Sequence, residues 1–228
     1  MRDCFYNIHG AALLVVLLSV LSTSSLASKG CIHGDSKEVH IARSKESGSV
    51  VKIDYCWRGG TGDVVIDLIN DKIQQKYKFI VDNEAYSIGV NSSIDLTGQG
   101  GRDLGIANGK GRSGEGMWYW IFDGNSRSYK FVGAAPLLRR SKAKNGPLFA
   151  IVSGSGDVQA TRYSYRIKGG KLAVVGAISF TPVDDAYDIS LMICASDIRC
   201  GEVGRLKNIS SERAQKCMEG VDDCNYLK

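Results

Sequence analysis

From residue 50 onward, apolar and polar residues alternate in short runs broken by turn-forming residues. Residues 50–57 (VVKIDYCW) are rich in β-branched and aromatic side chains, and residues 63–69 (DVVIDLI) repeat the texture. Asn70-Asp71 can turn the chain between this run and the next. Residues 72–81 (KIQQKYKFIV) set Tyr77, Phe79 and Val81 at period two, which places three apolar side chains on one sheet face. Asp82-Asn83 is a further turn signal. Residues 95–116 are glycine-rich, poor in large apolar groups, and read as a long turning loop.

A dense aromatic strand follows over residues 117–122 (MWYWIF). Asp123-Gly124-Asn125-Ser126 reads as a hairpin turn, because Asp-Gly accepts positive φ. Tyr129, Phe131 and Val132 begin the return strand. Residues 148–152 are apolar, and residues 158–167 alternate through Tyr163, Tyr165 and Ile167. Gly169-Gly170 turns that run into residues 172–180. Strands recurring this often predict an all-β protein, with antiparallel, propeller-like or sandwich-like sheets. Helix is expected only in the tail, where Ser211 caps a short helix over residues 212–219 and Gly220 stops it.

The N-terminus has a different pattern. Residues 10–21 (GAALLVVLLSVL) are apolar apart from Ser19, too short for the roughly 20 residues of a spanning helix. Arg2 gives a positive start, formally cancelled by Asp3, and Ser25-Leu26-Ala27 fits the small-x-small cleavage rule. Residues 1–27 therefore read as a signal peptide; an uncleaved anchor is the alternative. Lys29, so close to Cys31, argues against a lipid-attachment signal. Residues 28–193 then form an all-β domain, followed by a cysteine-rich tail over residues 194–228. Periplasmic or secreted localisation is expected.

Cysteine usage agrees with export. Cys4 leaves with the leader, and Cys31, Cys56, Cys194, Cys200, Cys217 and Cys224 remain. An even set after a signal peptide argues for disulfides, whose pairing the sequence does not choose. Zinc is the rival, but Cys194-x5-Cys200 and Cys217-x6-Cys224 are wider than zinc-knuckle spacing. The formal net charge is +5. Part of it is a basic run containing Arg139, Arg140, Lys142 and Lys144, either a solvated loop or a contact for an acidic partner. Export makes nucleic acid an improbable target.

Catalytic motifs are scarce. After residue 27 only His33 and His40 remain, whereas metal, serine and cysteine hydrolases usually need a positioned histidine. Residues 109–114 match Gly-x-Gly-x-x-Gly, but an aromatic strand follows where a dinucleotide site needs a helix. Ser141-x-x-Lys144 lacks the partner motifs of acylating serine enzymes. Asp184-Asp185 and Asp222-Asp223 read as turn and surface residues rather than a glycosidase pair. The most informative stretch is Asp95-x-Thr97-x-Gln99-Gly100-x-x-Asp103-Leu104, which follows the frame of an Asp-x-Asn-x-Asp-Gly calcium loop. Calcium takes six to eight oxygens. Asp95, Thr97, Gln99 and Asp103 are the candidate ligands, with fewer carboxylates than the frame allows.

The order of that loop, Trp118-Tyr119-Trp120-Ile121-Phe122-Asp123, Tyr129-Lys130-Phe131 and Thr161-Arg162-Tyr163-Ser164-Tyr165 resembles a family of bacterial periplasmic propeller-like proteins. The likeness covers about residues 60–180. Some members bind calcium and act as immunity proteins that inhibit peptidoglycan-degrading hydrolases, including lysozyme-like effectors. The resemblance implies a β-bladed fold and a protein-inhibitor role, with a peptidoglycan hydrolase as the partner; the missing catalytic set argues against an enzyme. Trp118 and Trp120, with Arg139, Arg140, Lys142 and Lys144, are the candidate contact residues. A non-catalytic cell-wall or glycan-binding module is the second reading, and a hydrolase of unfamiliar type the third.

Overall fold

A computed structural model describes residues 30–43, 46–70, 73–100, 103–109, 116–141, 146–154, 156–196 and 199–220. The chain builds three antiparallel sheets in succession. The first holds β1 (His33–Arg43), β2 (Glu46–Trp57), β3 (Gly62–Asn70) and β4 (Ile73–Val81), in that order. The second holds β5 (Val90–Asn91), β6 (Leu104–Ala107), β7 (Gly116–Asp123) and β8 (Ser128–Pro136). The third holds β9 (Arg139–Arg140), β10 (Leu148–Ser153), β11 (Ala160–Lys168), β12 (Lys171–Val183), β13 (Ala186–Ser196) and β14 (Arg199–Ser210). One helix, α1 (Ser211–Met218), closes the described chain. The expectation of an all-β protein built from antiparallel sheets holds.

The middle sheet explains the packing. Side chains alternate across a strand, so Trp118 and Trp120 of β7 leave one face while Met117 and Tyr119 leave the other. The tryptophans enter a core with Ile53, Ile66 and Leu68 of the first sheet. Met117 and Tyr119 enter a second core with Leu148, Ala150 and Val174 of the third. Phe79 stacks on Trp118 with ring centroids 4.2 Å apart, the offset geometry that aromatic pairs favour. Buried on both faces, the middle sheet acts as the keel of the molecule.

This double burial corrects one expectation. The stretch read as a loop over residues 95–116 contains β6, all four residues of which are buried. Leu104 and Ile106 face the first core. Gly105 faces the other way, where an added Cβ would stand 3.0 Å from the Tyr119 ring. A strand this short, with glycine at a crowded position, leaves no period-two signal.

Among the described residues the tail carries the expected short helix, and strand precedes it. Residue 194 lies within β13, and β14 pairs with β13 along its length. α1 does form, but it starts at Ser211 and Ser210 is its N-cap, with no side-chain capping bond. Ser211 Oγ instead donates to the Asp185 carbonyl at 2.8 Å. Gly220, at φ +71°, ends the helix as expected, with the Phe149 ring where a side chain would go. α1 covers the outer face of the third sheet through Ala214 and Cys217, against Phe180 and Ile189. At its C-terminal end Arg162 donates from Nη1 to the Cys217 carbonyl at 2.6 Å and lies over the Phe149 ring. A cation there satisfies a helix-end carbonyl and complements the helix dipole.

Disulfides join Cys31 to Cys56 and Cys194 to Cys200. The first ties the lead-in of β1 to β2, and the second links neighbouring strands. Cys217 is disulfide-bonded as well, while Cys224 lies outside the described residues. No described helix is long and apolar enough to cross a membrane.

Candidate functional site

Between β5 and β6, residues 95–100 form a turn built on the Asp95 side chain. Asp95 Oδ1 accepts from the amides of Thr97 and Gly98, at 3.2 and 2.7 Å, and from the Thr97 hydroxyl at 3.3 Å. Its Oδ2 accepts from the Gly100 amide at 2.8 Å. Gly98 and Gly100 sit at φ +77° and +74°, a region that glycine enters at little cost. Burial opposes the charge on Asp95, but the amides of Gly100 and Gly98, then Arg140 and the Thr97 hydroxyl, outweigh it and hold its pKa below the usual carboxylate range.

Asp103 has another task. It is 1 % exposed, and its two carboxylate oxygens accept from the amides of Leu96, at 2.7 Å, and Phe122, at 3.0 Å. It also donates its own amide to the Ile94 carbonyl at 2.9 Å. Asp103 therefore clamps the base of the loop to β7.

The positive charge at the loop belongs to the protein. Arg140, on β9, donates from Nε and Nη2 to the Asp95 carbonyl at 3.0 and 2.8 Å, and from Nη1 to the Gly146 carbonyl at 3.2 Å. Its guanidinium lies 3.2 Å from where a Cβ on Gly98 would be. β9 is in turn held by the middle sheet. The Tyr119 hydroxyl donates to the Pro136 carbonyl at 3.2 Å and accepts from the Leu138 amide at 2.7 Å. One buried ring thus positions the strand that delivers Arg140.

These residues do not fit calcium. Asp103 is turned to backbone amides, Thr97 and Gln99 bring no charge, and Asp95 is the one carboxylate left at the turn. A guanidinium packed on the same turn opposes a divalent cation. The turn survives, and Arg140 supplies the cation.

Beside the loop lies a cleft of about 330 Å³, lined by Leu96, Thr97, Arg140, Pro147, Tyr165 and Arg166 among others. Its floor is strand edge. β10 begins at Leu148 opposite Tyr165, so Arg166 and Ile167 of β11 extend beyond it.

The other candidates are scattered. Trp118 and Trp120 are 7 % and 0 % exposed, which corrects their assignment as contact residues. They are core because the first sheet covers their face. Arg139 is exposed on β9 next to Arg140, and Lys142 and Lys144 lie outside the described residues. No family of known proteins, no characterised protein sequence and no solved structure matches this chain.

Catalytic geometry is equally sparse. His33 and His40 both lie on β1, seven positions apart, so they point to opposite faces and stand about 23 Å apart along the strand. His33 Nε2 is 3.0 Å from the Glu84 carbonyl, and His40 pairs with Glu38 at 3.0 Å on the solvent side. Among the described residues, no group of three or more His, Cys, Asp or Glu side chains could hold a metal ion. Sequence reasoning missed Arg166, which carries no signal beyond being a polar position in an alternating strand.

Proposed function

We propose that this chain is an exported, non-catalytic inhibitor or immunity protein that binds a peptidoglycan-degrading hydrolase in the periplasm or outside the cell. The observation that carries the reading is the fixed loop cluster around Asp95 and Arg140. Its backbone is pinned by eight hydrogen bonds between main-chain groups and the side chains of Asp95, Asp103 and Arg140, beside a cleft. Such pre-ordering lowers the entropy cost of binding a protein surface. The disulfides suit an oxidising compartment. The chain-order resemblance to periplasmic hydrolase inhibitors supplies the partner class. The net charge of +5 favours a neutral or acidic hydrolase over a strongly basic one.

A glycan-binding module is the weaker reading, since Trp118 and Trp120 are not available as a stacking platform. The test uses protein from residue 28 onward with its disulfides formed. Peptidoglycan hydrolases from the source organism and its competitors are assayed for cell-wall clearance with and without it. Loss of one hydrolase's activity supports the reading. Sedimentation with purified peptidoglycan and no inhibition moves the assignment to wall binding, and clearance by the protein alone would make it an enzyme.

A further inference from the structure

We infer that the cleft between the Asp95 loop and β11 is a carboxylate-binding site, which takes an acidic side chain of the protein partner. This deepens the inhibitor reading and rests on it only for the source of the carboxylate. Two arginines line the cleft, Arg140 and Arg166, and among the described residues no Asp or Glu does. The nearest acid, Asp95, spends its carboxylate oxygens on its own turn, with Thr97, Gly98 and Gly100 as donors.

The two arginines have complementary roles. Arginine has five N–H donors in a planar fork. Arg140 directs three hydrogen bonds to the carbonyls of Asp95 and Gly146, which fix its plane and leave two N–H groups without an acceptor among the described residues. Both acceptors are neutral; the Asp95 carboxylate, whose pKa Arg140 helps to lower, attracts the guanidinium but accepts none of its hydrogen bonds. Arg166 has neither an ion pair nor a side-chain hydrogen bond among the described residues. One arginine held by the loop and one exposed arginine at a small cleft suit a planar carboxylate, which guanidinium groups bind with paired hydrogen bonds. The walls of Leu96, Pro147 and Tyr165 accept the methylenes of the side chain and shed water as it enters. A glutamate fits this combination better than a bare anion, which would leave those apolar walls without contact.

The site is tested on the full disulfide-bonded chain by NMR, with N-acetyl-glutamate amide as probe and N-acetyl-glutamine amide as its neutral isostere. The expected result is saturable movement of the Arg140 Nε–H signal and of the Gly98 and Gly146 amides with the glutamate probe, and none with the glutamine probe. Arg166→Gln, at an exposed position, should weaken the glutamate probe about tenfold. Arg139→Gln, beside the cleft but not lining it, should leave the affinity unchanged. Equal response to both probes, or an Arg166→Gln variant that binds like the parent, overturns the site. The protein arm separates the claims. A hydrolase inhibited equally by parent and Arg166→Gln refutes the cleft and leaves the inhibitor reading intact. Glutamate-specific binding with no hydrolase inhibited keeps the cleft and refutes the inhibitor reading.

Discussion

Arg140 reaches the main-chain oxygen of Asp95 with two N–H groups, at 3.0 and 2.8 Å, across 45 residues of sequence. The loop frame that elsewhere surrounds a metal is here closed by a guanidinium. Arg140→Ala removes these bonds and the one to Gly146, and should cost about 2 kcal/mol of stability, since bonds from a charged donor are the stronger kind. Denaturant unfolding reads the loss, and faster amide exchange at Gly98 and Gly100 would place it in the loop. In the parent protein, calcium and chelator should give the same thermal midpoint.

Asp103 and Asp95 should differ sharply under the same substitution. Asp103→Ala strands the amides of Leu96 and Phe122 in a dry site, at an expected cost of about 2 to 4 kcal/mol. Asp95→Ala frees amides that water can reach, and should cost about 1 kcal/mol or less. Chemical unfolding of the two variants checks the order. A larger loss for Asp95→Ala would place the anchor at the wrong end of the loop.

Acid should weaken the protein in a defined window. At the β7–β8 turn, Lys130 Nζ lies 2.6 Å from Asp123. Together with the Ser126 hydroxyl and the Asn125 amide, it holds the Asp123 carboxyl at about 2. Asp95 is lowered as well, where amide donors and Arg140 outweigh burial. A carboxylate with a depressed folded pKa stabilises the fold above its unfolded value near 3.9 and loses that contribution as pH falls toward the folded value. Stability should therefore be flat above about pH 5 and decline between about pH 4 and pH 2. Carboxyl carbon NMR should give Asp123 a midpoint near 2 that rises with salt, because the Lys130 pair is exposed and screened.

Trp120 tests whether the aromatic strand is core or contact. Trp120→Ala should cost about 3 to 5 kcal/mol, as expected for a large side chain with no exposed surface. Trp120→Phe keeps most of the packing against Tyr77 and Phe131 and should fold with partner affinity unchanged. Weaker partner binding by a folded Trp120→Phe protein would return this strand to the interface.

Where one face of a sheet meets solvent, the sequence shows it. β3 and β4 alternate in burial, and Tyr77, Phe79 and Val81 stand out at period two. Gly169-Gly170 turns β11 into β12 with both residues at positive φ, as their sequence suggests. Asp123-Gly124 does turn the chain, but there the positive φ falls on Arg127. β1 and β14 escape a pattern search because they are edge strands rich in charge and glycine. β6 escapes because it is short and buried on both faces. The candidate site was half legible: the turn chemistry of Asp95, Gly98, Gly100 and Asp103 is local and readable. Nothing local links Arg140 or Arg166 to that turn. They arrive through the register of β9, β10 and β11, a product of the fold rather than of any motif.

The most direct test of the central claim is a titration of a target peptidoglycan hydrolase with the disulfide-bonded protein from residue 28 onward, in the presence of chelator. The account expects clearing activity to fall linearly to zero at one equivalent, with chelator having no effect because Arg140, not a metal, closes the loop. Full clearing activity for every hydrolase at excess protein, or inhibition that appears only when calcium is restored, would contradict it.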